Sequence, residues 1–297
     1  MFYKRKQPLV LFYSSRRGGS TLLAEIMEAA RSTVYVDQPF DLWKPDTDRG
    51  RIIASFLPNK HQSQFFEMDD QEKNKITLYL DHFYKKKLLH LSTGKRAKHI
   101  VLKIVNAHGL IDELATLVPS KTVVLMRHPF SQSLSVMRNK WGTCEAAFIE
   151  STTWTDTYLT LEQLAFSKEV SEKGTYFEKA VLNWCLEWHY PLHYSKTKKL
   201  TLYYEDLVLD GANHITRLYE FLGFKEIQNG VAILNKPSKS SNFSTKATVE
   251  GIKNNDKSAM LSSWRSQLEE KDLVNAQKIL DVFNVTVYSR FSDIPQL

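Results

Sequence analysis

The chain of 297 residues has only two cysteines, Cys144 and Cys185, too few for a disulfide framework and without metal-ligand spacing. Both fall in segments read as helical, so buried free thiols in a reducing compartment are expected. No apolar run reaches the roughly 20 residues of a membrane span. The short apolar stretch after the basic start "MFYKRK" lacks a small-residue cleavage site, and it is read as the first strand of a cytoplasmic protein. The sequons at Asn242 and Asn284 are then chance matches. No internal repeat or hinge-like linker divides the sequence, so residues 1–297 are expected to form a single domain. The excess of one sign of charge is also small, 40 basic against 33 acidic residues. A net +7 suits an anionic ligand, whereas runs such as Lys85–Lys87 read as a solvated helix face. No nucleic-acid motif accompanies them, and no nucleic-acid or membrane partner is expected.

What is present is a globular composition, 42% hydrophobic and 12% aromatic. Apolar runs rich in β-branched and aromatic residues recur at 8–13, 33–36, 99–105, 121–126 and 200–204. Their near-continuous apolar character predicts strands buried on both faces, as in a parallel sheet. Helical spacing lies between them, at 20–30, 71–92, 109–117, 130–139, 155–168 and 175–190, and dominates after residue 210. Alternating strands and helices predict a doubly wound α/β sheet of about five strands with a helical C-terminal part. The polar, basic stretch from Asn235 to Ser258 reads either as a loop that orders over a ligand or as a solvated linker.

The first strand runs into "SSRRGGST" and then a helix. Such a junction aims free amides and the positive helix end at an anion. Gly18 and Gly19 let the backbone come close, Ser20 and Thr21 add hydroxyl donors, and Arg17 adds a permanent forked cation. The plain alternative is a tight turn with solvated arginines. It is not a triphosphate loop of the G-x-x-x-x-G-K-[ST] type, because Gly19 stands where lysine is required. The later strand "KTVVLM" ends in Arg127, where a magnesium enzyme commonly has an aspartate. A nucleotide-dependent kinase with a degenerate loop is therefore the weaker alternative.

Together these residues resemble the sulfotransferases that use 3′-phosphoadenosine 5′-phosphosulfate (PAPS). Ser15 to Thr21 is similar to their first motif, S-x-[RK]-[ST]-G-[ST]-T, with Arg16 in place of the usual proline and Gly18 in place of a hydroxyl residue. Arg127 and Ser135, eight residues apart, are similar to the second motif, which binds the 3′-phosphate. "LTLYYEDLVLDGANHITRLYEFLGF" and "SSWRSQLEEKDL" resemble later family elements, while about 42–95 is unmatched in detail. The resemblance implies a P-loop-like sulfotransferase fold and PAPS as cosubstrate, without a metal. It also implies transfer of a sulfonate to a hydroxyl or an amine- or amide-type nitrogen. The acceptor expected is a small molecule such as a polar alkaloid toxin from secondary metabolism; a glycan hydroxyl is the alternative.

The resemblance implies Arg17 as the catalytic cation, with Arg16, Gly18, Gly19, Ser20, Thr21, Arg127, Ser135 and Lys246 on the nucleotide. Asp37, in "VYVDQPF", is the first choice of base and His108, five residues after Lys103, the second. Lys103 faces the sulfonate or the acceptor in this reading, or else is a strand-end lysine reaching solvent. Tyr204, Glu205 and Asp206 are expected to fix the following helix, and Trp184 and Trp188 to anchor the core. Trp43, Asp46, Asp48, Phe66, Asp69 and Asp70 are candidates for an acceptor pocket that takes a cation.

Overall fold

The computed structural model describes residues 7–41, 46–57, 64, 67–92, 97–234 and 256–297. The first half of the chain builds β1 (Leu9–Ser14), α1 (Ser20–Glu28), β2 (Thr33–Asp37), α2 (Asp48–Phe56) and α3 (Asp70–Tyr84). It continues through β3 (His99–Ile104), α4 (Ile111–Leu117), β4 (Ser120–Met126) and α5 (Pro129–Arg138). Helices then dominate: α6 (Glu145–Glu150), α7 (Thr152–Tyr158), α8 (Leu161–Lys173) and α9 (Tyr176–His193). The last strand, β5 (Lys199–Tyr203), precedes α10 (Tyr204–Leu209), α11 (Gly211–Leu222), α12 (Ile227–Leu234), α13 (Lys257–Ser262) and α14 (Glu270–Val282).

The strands form one five-stranded sheet in the order β2-β3-β1-β4-β5. Every pairing is parallel, with Tyr13 level with both Ile104 and Val124. Alternation along β1 explains its unbroken apolar character. Leu9, Leu11 and Tyr13 enter a core with Phe130 of α5, Trp184 and Trp188 of α9 and Ile279 of α14. Val10 and Phe12 enter a second core with Leu23 and Ile26 of α1 and Ile215 and Leu218 of α11. Helices thus cover both faces, as parallel strands require. Leu11 is fully buried, and truncating such a residue to alanine costs about 2–5 kcal/mol.

The five strand expectations hold to within a residue or two. Two helical expectations change. The stretch 155–168 is two helices, because Leu159 turns extended and Thr160 starts α8 with a capping box to Gln163. The stretch 71–92 stops at Tyr84 in α3, since Lys86 adopts φ +62°. Cys144 precedes α6 and does not lie inside a helix, and both cysteines are buried and free. Lys246, and almost all of the stretch from Asn235 to Ser258, lie outside the described residues.

Candidate active site

Parallel order brings the C-terminal ends of β1, β3 and β4 to one edge, and the first glycine loop leaves from the middle of it. The Gly18 N–H donates to the Ser15 carbonyl at 3.0 Å, closing the turn. Arg17 and Gly19 both take left-handed conformations, at φ +64° and +89°. A side chain at Gly19 would place its Cβ 2.5 Å from the Tyr204 ring, so only glycine fits. α1 then begins at Ser20 with no side-chain cap. Its first-turn amides, together with half-buried Thr21, are left for solvent or an anion at the positive helix end.

The two motifs that the sequence reads as anion-binding meet here. Arg17 Nε donates to Ser135 Oγ at 2.9 Å. Arg127 Nη1 donates to the Arg17 carbonyl at 3.0 Å, and its Nη2 to Ser131 Oγ at 2.8 Å. The Arg127 guanidinium lies over the Tyr204 ring, 4.5 Å from its centroid. Trp184, a core residue, also holds the strand end, because its Nε1–H donates to the Arg127 carbonyl at 3.2 Å. Arg127 Nε is buried and has no hydrogen-bond acceptor among the described residues. A donor left in that state calls for an acceptor, and a phosphate oxygen fits it. Burial first, then Arg127 and Arg138, push the pKa of Arg17 down to about 10. Mutually repelling cations of this kind are suited to a polyanion.

Arg16 is oriented differently from Arg17. Its guanidinium donates to the Gly142 carbonyl at 2.9 Å and to Cys144 Sγ at 3.5 Å, within electrostatic reach of buried Glu187. It ties the first loop to the segment between α5 and α6.

On the other side of β1, Lys103 of β3 pairs with Asp37 Oδ1 at the end of β2. Arg49 of α2 reaches the same residue, 3.1 Å from Oδ2 and hydrogen-bonded to its carbonyl. Asp37 keeps 32% of its side chain exposed, whereas Lys103 keeps 6%. His108 is 1% exposed, with its ring edge-on to Tyr13 and Trp188 at 6.0 and 4.5 Å. Burial lowers its pKa to about 3.

Of the residues suggested for an acceptor pocket, Trp43 and Phe66 lie outside the described residues. Asp48 pairs with Arg51 at 2.6 Å, and Asp69 caps α3, with Asp70 in its first turn. The Asp46 carbonyl accepts from Arg51.

The Tyr-Glu-Asp element has a structural task. Glu205 Oε1 accepts from the His128 N–H at 2.9 Å, and Oε2 from the Tyr288 hydroxyl at 2.8 Å. Burial raises the Glu205 pKa. Trp264 stacks on the His128 ring at 4.8 Å, so the late tryptophan element braces the residue after Arg127. Ser131, Arg49 and Arg138 carried only weak sequence signals. Ser131 could have been found as the hydroxyl residue four positions after Arg127, in the first turn of α5; Arg49 and Arg138 depend on tertiary approach.

Among the described residues no group of three or more His, Cys, Asp or Glu is placed to hold a metal, and no helix is long and apolar enough to cross a membrane. No curated protein sequence matches the chain significantly. Solved structures similar to it include mouse sulfotransferase SULT7A1 complexed with PAP, at 12% identity and TM-score 0.45, covering 94% of this chain and 85% of that one. The sulfotransferase domain of the Synechococcus PCC 7002 olefin synthase matches at 16% identity and TM-score 0.42, covering 96% and 97%. The sulfotransferase domain of the curacin biosynthetic pathway matches at 16% identity and TM-score 0.46, covering 95% and 99%. The sequence model of the sulfotransferase family matches residues 8–228, and the chain belongs to that family.

Proposed function

We propose that this protein transfers a sulfonate group from PAPS to a hydroxyl or an amine- or amide-type nitrogen of a polar small molecule. The observation that carries the reading is the junction of the two anion motifs. Arg17 is bonded to Ser135, and Arg127 to the Arg17 carbonyl, at the ends of adjacent strands. Bound PAPS supplies an activated sulfonate and leaves as 3′-phosphoadenosine 5′-phosphate (PAP). The α1 amides and Arg17 hold the 5′ end, where negative charge grows on the bridging oxygen; Arg127 and Ser135 hold the 3′-phosphate. Catalysis of this type rests on positioning and fixed charge, which rigid backbone donors and arginines provide.

Asp37 takes the acceptor proton in this reading. Its carboxylate is partly exposed at the strand end, and Lys103 and Arg49 fix its orientation. His108 is the poorer candidate, because it is 1% exposed and a reacting molecule has little access to its ring. Its ring packs edge-on against Tyr13 and Trp188, two residues of the core.

The test is a screen of polar alcohols, amines, amides and glycans with PAPS, with mass spectrometry reading the mass gain of sulfonation. Arg17→Ala should abolish transfer to every acceptor that wild type modifies. Full activity in that variant would sink the mechanism. Thermal stabilisation by PAP without magnesium supports the nucleotide assignment, and a requirement for Mg-ATP instead would favour a kinase.

A further inference from the structure

One stripe of α5 faces the anion loop. Ser131 and Ser135, a helical turn apart, accept hydrogen bonds from Arg127 and Arg17 respectively. Arg138 continues that stripe, one turn beyond Ser135. It is exposed, and its Nη1 donates to Gln267 Oε1 at 3.2 Å, a neutral partner. Neither Arg127 nor Arg138 forms an ion pair with a carboxylate among the described residues. The three guanidiniums nevertheless sense one another. Partial burial and then Arg127 lower the pKa of Arg138, and Arg138 in turn contributes to lowering that of Arg17. Gathering three like charges at the rim of one loop is unfavourable unless a polyanion joins them.

We propose that Arg138 is a third arginine of the nucleotide site and binds the 3′-phosphate beside Arg127. The assignment rests on the PAPS reading above and adds a residue to that site. It follows from the helix: the two serines already turn this face toward the arginines, and the next residue on it is a cation with only an exposed amide to release.

Calorimetric titration of wild type, Arg138→Gln, Arg138→Lys and Gln267→Ala with PAP and with 5′-AMP tests it. Arg138→Gln should weaken PAP about tenfold or more, the scale of one charged hydrogen bond. It should leave 5′-AMP, which lacks the 3′-phosphate, nearly unchanged. Arg138→Lys should retain most of the PAP affinity. The unliganded melting temperature should match wild type in each variant, since the substituted residues are exposed. Equal weakening of both nucleotides by Arg138→Gln, no weakening of either, or equal loss of PAP affinity in the Gln and Lys variants would overturn the assignment. So would a loss in Gln267→Ala as large as in Arg138→Gln, which would mean that Arg138 acts by anchoring Gln267. Wild type binding PAP no better than 5′-AMP would instead overturn the nucleotide reading, and this assignment with it.

Discussion

Asp37 and Glu205 are both carboxylates beside cationic strand ends, yet their surroundings separate their tasks. Asp37 sits at a strand end with a third of its side chain exposed, so a reacting molecule can reach it. Asp37→Asn keeps the shape but removes the carboxylate proposed as the base. It should lower the transfer rate by about 10²–10⁴-fold while leaving PAP affinity nearly unchanged, as turnover and titration measurements would show. Glu205 is 1% exposed and both of its oxygens are engaged. Glu205→Ala strands two buried donors, the His128 N–H and the Tyr288 hydroxyl, and should cost about 2–4 kcal/mol in a urea melt. Glu205→Gln keeps one acceptor oxygen and should cost less. Equal losses in the two variants would show that burial of the side chain, and not its hydrogen bonds, holds this corner.

At the scale of the element, the strand–loop–helix unit depends on two backbone conformations that a side chain resists. Gly19→Ala meets the Tyr204 ring at 2.5 Å in a left-handed conformation. It should reduce PAP affinity by at least about tenfold, a cost of 1.4 kcal/mol or more by the relation between affinity and free energy. Pairing it with Tyr204→Ala relieves the clash, so partial recovery in the double variant would locate the cause. The strands were legible because each must be apolar on both faces, and the loop because glycines, hydroxyls and arginine fall in a fixed order at a strand end. The break at Leu159 was legible in principle from Thr160 and Gln163, a capping box that helical periodicity alone overlooks. The Arg49 clasp on Asp37 was not legible. It depends on how α2 returns to the sheet, and no local pattern in the sequence encodes that approach.

At the scale of the molecule, acid should loosen the site through the buried histidine that follows Arg127. His128 Nδ1 accepts from the Phe130 N–H, capping α5, and its Nε2–H faces the carbonyls of Ser289 and Ser292 at 3.2 and 3.1 Å. The neutral ring satisfies all three contacts. Burial, chiefly, lowers its pKa to about 4, against an ordinary 6.5. The unfolded chain therefore binds a proton that the folded chain refuses between those values. Stability is full above about 6.5 and falls by up to about 1.4 kcal/mol per pH unit toward pH 4. Buried His189, also lowered to about 4, acts in the same sense, whereas Glu187 and Glu205, both raised, act in the opposite one. His128→Asn should flatten the slope of melting temperature between pH 6.5 and 4 relative to wild type. An unchanged slope would mean that the ring is reached by solvent. The corner that His128 shares with Glu205 and Tyr288 also sets a schedule for synthesis. β1 precedes the other four strands of the sheet in the chain and is the central one, so both its edges stay open until β3 and β4 follow. Tyr288, which steadies the residue after Arg127 through Glu205, emerges later still. A nascent chain can thus lay down its sheet before the strand end at Arg127 is braced, and ligand can stabilise that corner only after Tyr288 has been made.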